Sequence, residues 1–132
     1  MIPKYRAWIK EEKCFADYIE SIRYYSKEID LCWGGICESD CFDFKDVIFT
    51  KSTDFKDDSG YELFENDIIL WTYWDEFEDS GRAKIIFENG MFKLVDIKTG
   101  KEVWDNLFDC IENCNVYLQG NIYENPELLE VE

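Results

Sequence analysis

The side chains best suited to chemistry are six cysteines, Cys14, Cys32, Cys37, Cys41, Cys110 and Cys114, in a chain that contains no histidine. Their spacings are C-x4-C-x3-C and C-x3-C, and no pair is C-x-x-C. An all-thiolate zinc site built from Cys37, Cys41, Cys110 and Cys114 is geometrically open, because thiolates three or four residues apart can share a tetrahedral ion. The usual C-x-x-C spacing is missing. The expectation is therefore reduced, metal-free thiols that act as small buried apolar side chains.

The carboxylates are the second set. In "DDSGYELFENDIILWTYWDEFEDSG", residues 57 to 81, the aromatics Trp71, Tyr73 and Trp74 run into Asp75, Glu76, Glu78 and Asp79. Such acids could hold a hard cation, but the twelve-residue D-x-D-x-D-G loop of a calcium site is absent. The aromatics could stack on a ligand or partner, although aromatic residues in a strand more often serve the core. These seven residues are the candidate partner-binding set. Asp54, Asp57, Asp58 and Glu62 flank the preceding turn, and a bent sheet could lay the two acidic clusters side by side, as in a protein that imitates nucleic acid. The plainer reading is a solvated acidic face.

Catalytic signatures are absent. The chain has no Gly-rich phosphate loop, no G-x-S-x-G elbow and no H-E-x-x-H, and a serine or cysteine triad would lack its histidine. Paired glycosidase-like carboxylates cannot be recognised by spacing among 30 acidic residues. The expectation is a protein that is not an enzyme and carries no cofactor.

The elements that must position these residues belong to one domain's worth of chain, 132 residues with 46% hydrophobic and 17% aromatic content, enough for a single core. Net charge is −16, of which residues 30 to 79 supply −12 through fifteen acids and three bases. A field of that sign repels phosphates and anionic lipid, so direct nucleic-acid or membrane binding is not expected; the charge reads first as a solvated face and second as a docking surface for a basic protein partner. Apolar runs are only a few residues long, so no signal peptide or membrane span is expected and the location read from the sequence is cytoplasmic.

Turn signals at Asp58-Ser59-Gly60, Asp79-Ser80-Gly81, Asn89-Gly90 and Lys98-Thr99-Gly100 separate short aromatic and β-branched segments. This spacing predicts a mainly β fold, a strongly bent antiparallel sheet or small barrel. Asn89-Gly90 suits a type I′ hairpin with Phe87 opposite Phe92, Ile85 opposite Leu94, and Arg82 and Lys84 on the other face. Ile68 to Trp74 is apolar on both faces and reads as a central strand entered through a sharp turn at Asn66-Asp67. "WDNLFDCIENC" places Trp104, Leu107, Phe108, Ile111 and Cys114 at helical spacing. The segment "VYLQGNIYENPELLE" reads as a strand that is interrupted near Gly120, followed by Asn125 as a cap and Pro126 at a helical first position. "DYIESIRYY" fits strand alternation through Tyr18, Glu20, Ile22 and Tyr24 about as well as it fits a helix, and its aromatic and β-branched residues favour the strand.

Three blocks, "YRAWIKEEK" at 5 to 13, "TKSTDFKDDSGYELFENDIILW" at 50 to 71 and "LQGNIYENPELLE" at 118 to 130, resemble the YopX-like family of bacteriophage and prophage proteins. Gly120 through Leu128 match the family's ending consecutively. Lys51-Ser52-Thr53 stands where the family has Thr-Gly, and Asn66 where it has glycine. The resemblance implies one domain over 1–132, with N-terminal strands of about 1–50 packed on an SH3-like roll or barrel of about 60–125 and one or two short helices near the C-terminus. It carries over no catalytic or binding residues. The function it implies is that of a non-enzymatic accessory protein in the bacterial host cytoplasm. Such a protein would bind a host or phage macromolecule, and inhibition of a host defence enzyme by nucleic-acid mimicry is one form. The alternative is a protein that binds or sequesters a small molecule in an aromatic cleft, with a homo-oligomer left open.

Overall fold

The computed structural model describes residues 4–33, 40–73 and 80–130, with Tyr73 described for its backbone alone. The chain divides into two compact units, Met1–Lys51 and Ser52–Glu132.

The first unit contains β1 (Tyr5–Ile9), β2 (Cys14–Phe15), β3 (Tyr18–Arg23), β4 (Glu28–Cys32), β5 (Asp40–Asp43) and the first half of β6 (Val47–Lys56). β1 lies between β2 and β6, and β4 lies between β3 and β5, all antiparallel. Alternation along "YRAWI" explains its residue types. Ala7 and Ile9 enter a core with Ile29, Leu31 and Val47. On the other face Trp8 pairs edge-on with Phe15, and Arg6 lies over the same ring while its Nε donates to Thr50 Oγ1 at 2.8 Å.

Strict alternation predicted for β3 does not hold. The register slips between Ile19 and Ser21, where Ile19 faces Leu31 and Ile22 faces Ile29. An inserted residue of this kind turns the strand by one side, and it lets both Ile19 and Ile22 reach the core.

The second unit holds the rest of β6, then β7 (Glu62–Phe64), β8 (Asp67–Tyr73), β9 (Ser80–Glu88), β10 (Met91–Asp96), β11 (Glu102–Val103), α1 (Leu107–Asn113) and β12 (Cys114–Asn121). A 3-10 turn, Pro126–Leu129, follows. Five strands in the order β11-β10-β9-β8-β12 make an antiparallel sheet that curls into a half-barrel. β8 is central, as its two apolar faces predict. The β9–β10 hairpin closes through Asn89 (φ 54°) and Gly90 (φ 79°), with Phe87 opposite Phe92 and Ile85 opposite Leu94.

Asn66 takes φ 70° at the entry to β8, and Asp67 Oδ2 accepts the Phe64 N–H at 2.8 Å, so both act in the turn as expected. The helix is shorter than its apolar spacing suggests. Trp104 has φ 62°, which a right-handed helix excludes, and Cys114 already belongs to β12. Asn106 caps α1 by accepting the Asp109 N–H at 2.9 Å, and the buried face is Leu107 and Cys110 while Phe108 stays exposed. Burial of Leu107 contributes about 2 kcal/mol. It closes a core of Leu63, Ile69, Ala83, Ile85, Leu94 and Val116.

No helix among the described residues is long and apolar enough to cross a membrane.

Candidate functional site

The first unit leaves one side of its core open. Tyr5, Ile22, Tyr24, Phe44 and Phe49 line a groove of about 240 Å³. Its floor is continuous with the core, since Ile22, Phe44 and Phe49 pack against the buried cluster. Phe44 meets Phe49 edge-on at 5.4 Å and Tyr24 meets Phe44 at 6.3 Å, so the rings hold one another in fixed orientations. Tyr24 is 75% exposed and Tyr5 stands at the rim. The register shift in β3 is what brings Ile22 and Tyr24 here. Sequence reasoning missed the groove because its lining comes from β1, β3 and the turn that follows it, β6 and the short turn Phe44–Asp46, which only the fold brings together.

Arg23, between Ile22 and Tyr24, points to the opposite face. There its guanidinium bonds the Asp30 carboxylate, with Nη2 3.2 Å from Oδ1, and Ser21 Oγ donates to Asp30 Oδ2 at 2.6 Å. Arg23 foremost, then Ser21, holds the Asp30 carboxyl down at about 2. Cys41 donates its thiol to Glu28 Oε2 at 3.3 Å, and that bond raises the thiol's pKa. A thiol held in its neutral form is a poor nucleophile. The arrangement ties β3, β4 and β5 together.

The seven residues singled out from sequence fall in different settings. Trp71 packs against the core of the second unit, edge-on to Trp104 at 5.6 Å and close over Gly81, where an added Cβ would lie 3.0 Å from Trp71 Cζ2. Tyr73 ends β8, its backbone paired with Cys114. Trp74, Asp75, Glu76, Glu78 and Asp79 lie outside the described residues. Of the second acidic cluster, Asp57 is buried. Its Oδ1 accepts the Ser59 and Tyr61 N–H groups at 3.0 and 2.8 Å, and its Oδ2 accepts Leu118 N–H at 2.8 Å. Asp58 Oδ2 accepts Val116 N–H at 2.7 Å. These two carboxylates pin a turn to β12 and are not a free acidic face.

The expectation of reduced thiols fails at Cys32, which is disulfide-bonded. Spacing alone reveals neither which sulfurs are neighbours in space nor how they connect. Cys14, Cys41, Cys110 and Cys114 are free thiols, and Cys37 lies outside the described residues. Cys110 and Cys114 are neighbours in the core of the second unit, where burial pushes both thiols up. Among the described residues no three Cys, Asp or Glu side chains converge on a point that could hold a metal ion.

The family blocks also acquire structural roles. A Cβ on Gly120 would strike the Asn125 side chain. Asn121 Oδ1 accepts the N–H groups of Tyr123 and Glu124 at 3.0 and 2.8 Å, and Asn66 Nδ2 donates to the Tyr123 hydroxyl at 2.9 Å. Asn66 keeps the left-handed backbone that a glycine in its place would also adopt. No curated protein matches the chain. Its fold is similar to the crystal structure of protein EF1440 from Enterococcus faecalis, with TM-score 0.65 and 26% identity over 98% of this chain and 99% of that one. It is also similar in fold to the crystal structure of protein yopX from Bacillus subtilis, with TM-score 0.63 and 18% identity over 97% and 96%. The sequence pattern described as YopX protein matches residues 4–130, and the chain belongs to that family.

Proposed function

We propose that the protein acts by binding a basic protein segment, without catalysis, and that the aromatic groove of the first unit is its anchor site. The groove itself carries the reading: exposed Tyr5 and Tyr24 rim a floor of Ile22, Phe44 and Phe49 that packs against the core. Buried aromatic pockets with little ordering cost are where binding energy concentrates at protein interfaces. The net charge of −16 favours a basic partner and speeds its encounter, an advantage that salt removes.

Size favours this over the small-molecule alternative. The groove's 240 Å³ lies below the ~300–1,000 Å³ typical of ligand pockets, and suits one or two apolar side chains of a peptide better than a whole ligand. Nucleic-acid mimicry would be one form of basic-protein binding. Asp57 and Asp58, which that reading enlists, bond backbone groups inside the fold.

Selection from a random peptide display library tests the proposal. Enriched peptides should carry an aromatic or leucine anchor beside Lys or Arg, and their affinity should fall as salt rises. Tyr24→Ala should abolish capture, while Tyr61→Ala, at another exposed tyrosine, should not. Peptides that bind the Tyr24→Ala variant as well as the parent protein would sink it.

A further inference from the structure

The second unit has its own cleft, of about 660 Å³, on the face of the sheet opposite the core. Gly81 lies under Trp71 and Ala83 is in the core, so Arg82 between them projects outward, across from Leu70 of β8. The turn after β10 forms one wall. Ile97 N–H donates to the Arg82 carbonyl at 3.0 Å, and Asp96 holds the turn by accepting Thr99 N–H at 2.9 Å, which positions Lys98. The 3-10 turn Pro126–Leu129 forms the other, bringing Glu127, Leu128 and Glu130. Asn125 Oδ1 accepts Asn121 N–H at 3.2 Å and fixes that wall to the end of β12.

The charges are unusual for so acidic a chain. Arg82 and Lys98 form no ion pair among the described residues, although the protein carries more than two acids for each base. Arg82 and Lys98, with Asp96 beside them bonded to the Thr99 N–H, Glu127 and Glu130 on the 3-10 turn, and an apolar Leu70 and Leu128 make a dipolar lining. A polyphosphate would meet Glu127, Glu130 and the overall field, and a simple cation would meet Arg82 and Lys98. The lining suits a molecule with a negative group, an apolar body and a positive group. The volume lies within the ordinary range for compact ligands.

We propose that this cleft binds a short apolar peptide with free ends. Its carboxylate lies at Arg82 and Lys98, its ammonium at Glu127 and Glu130, and its side chains lie over Leu70 and Leu128. Arg offers a planar fork that matches a carboxylate, and hydrogen-bonded walls keep the ordering cost low. The site is independent of the groove in the first unit.

Calorimetric titration of the full chain with trileucine tests this, using the free peptide, its N-acetyl form and its C-terminal amide at low salt. The free peptide should bind saturably, and each blocked form should bind about ten-fold more weakly. Arg82→Gln should weaken the free peptide and narrow the difference between acid and amide, with Lys98 left as the one cation there. The double variant Glu127→Gln, Glu130→Gln should erase the difference between free and acetylated amines instead. All three residues are exposed, so circular dichroism should show the parent fold in each variant. Equal binding of the three peptides, or no saturable heat with any of them, overturns the proposal.

Discussion

Gly120 and Asn125 occupy space that would not hold one more carbon: a Cβ on Gly120 would stand 2.7 Å from Asn125 Cγ. The Asn125 amide is not free to retreat, because its Oδ1 accepts Asn121 N–H at 3.2 Å. Gly120→Ala should therefore destabilise the protein by about 2 kcal/mol, as overpacking of a fixed site does. The double variant Gly120→Ala, Asn125→Gly should recover part of that loss. Urea unfolding of the four proteins in this cycle measures the coupling, and additive losses would show that the two residues do not meet.

Asp57 is expected to be among the most sensitive carboxylates in the chain. Three backbone N–H groups, of Ser59, Tyr61 and Leu118, converge on it, joining a local turn to a strand 61 residues away. Asp57→Ala leaves those donors without their acceptor and should cost about 3 kcal/mol. Hydrogen exchange should accelerate at Tyr61 and Leu118 while amides of the Asn89-Gly90 hairpin keep their protection. Unchanged exchange at Leu118 would show that Asp57 acts only within its own turn.

What could be read in advance was local. The Asn89-Gly90 hairpin follows from a two-residue loop whose residues accept positive φ, and Asn66-Asp67 from the same chemistry of turns. The start of α1 was also available, since Asn106 stands where a cap belongs, but the apolar period running from Trp104 to Cys114 masked it. The bulge in β3 was not legible: no residue type near Glu20 demands it, and it arises because Ile19 and Ile22 both gain burial against β4. Long-range partners decide the rest. Asp57 looks like any loop acid until Leu118 lies beside it, and the groove exists only where two sheets of the first unit meet.

The acid limb of stability should carry a mark of Asp30. Arg23 and Ser21 hold its folded pKa at about 2, below the ordinary 3.8. With the folded value the lower, the contribution is complete above pH ~4 and is lost as pH falls towards 2. Asp30→Asn should lower stability at neutral pH and flatten its dependence on pH between about 4 and 2. Denaturant titrations at several acid pH values check this. An unchanged slope in that window would mean that the Arg23 pair is as well solvated as the separated groups.

The free cysteines should differ in reactivity for reasons set by their neighbours. Cys41 is exposed, yet its bond to Glu28 raises the thiol pKa, and the thiolate is the form that alkylating agents attack. Glu28→Gln removes the negative acceptor and leaves Arg23, whose Nη2 lies 3.2 Å from Cys41 Sγ, to favour the thiolate. Alkylation of Cys41 by iodoacetamide at pH 8 should then quicken several-fold, read by peptide mass spectrometry so that Cys14 is counted separately. Cys110 should stay unmodified in both proteins, because burial foremost pushes its thiol up and removes it from the reagent. Its effect on stability has the opposite pH sense to that of Asp30. With the folded pKa the higher, its contribution is complete below the ordinary thiol value near 8.5 and declines as pH rises above it. Cys110→Ala should flatten that alkaline decline in a denaturant titration, and a Cys41 rate indifferent to Glu28→Gln would show that the carboxylate does not govern its reactivity.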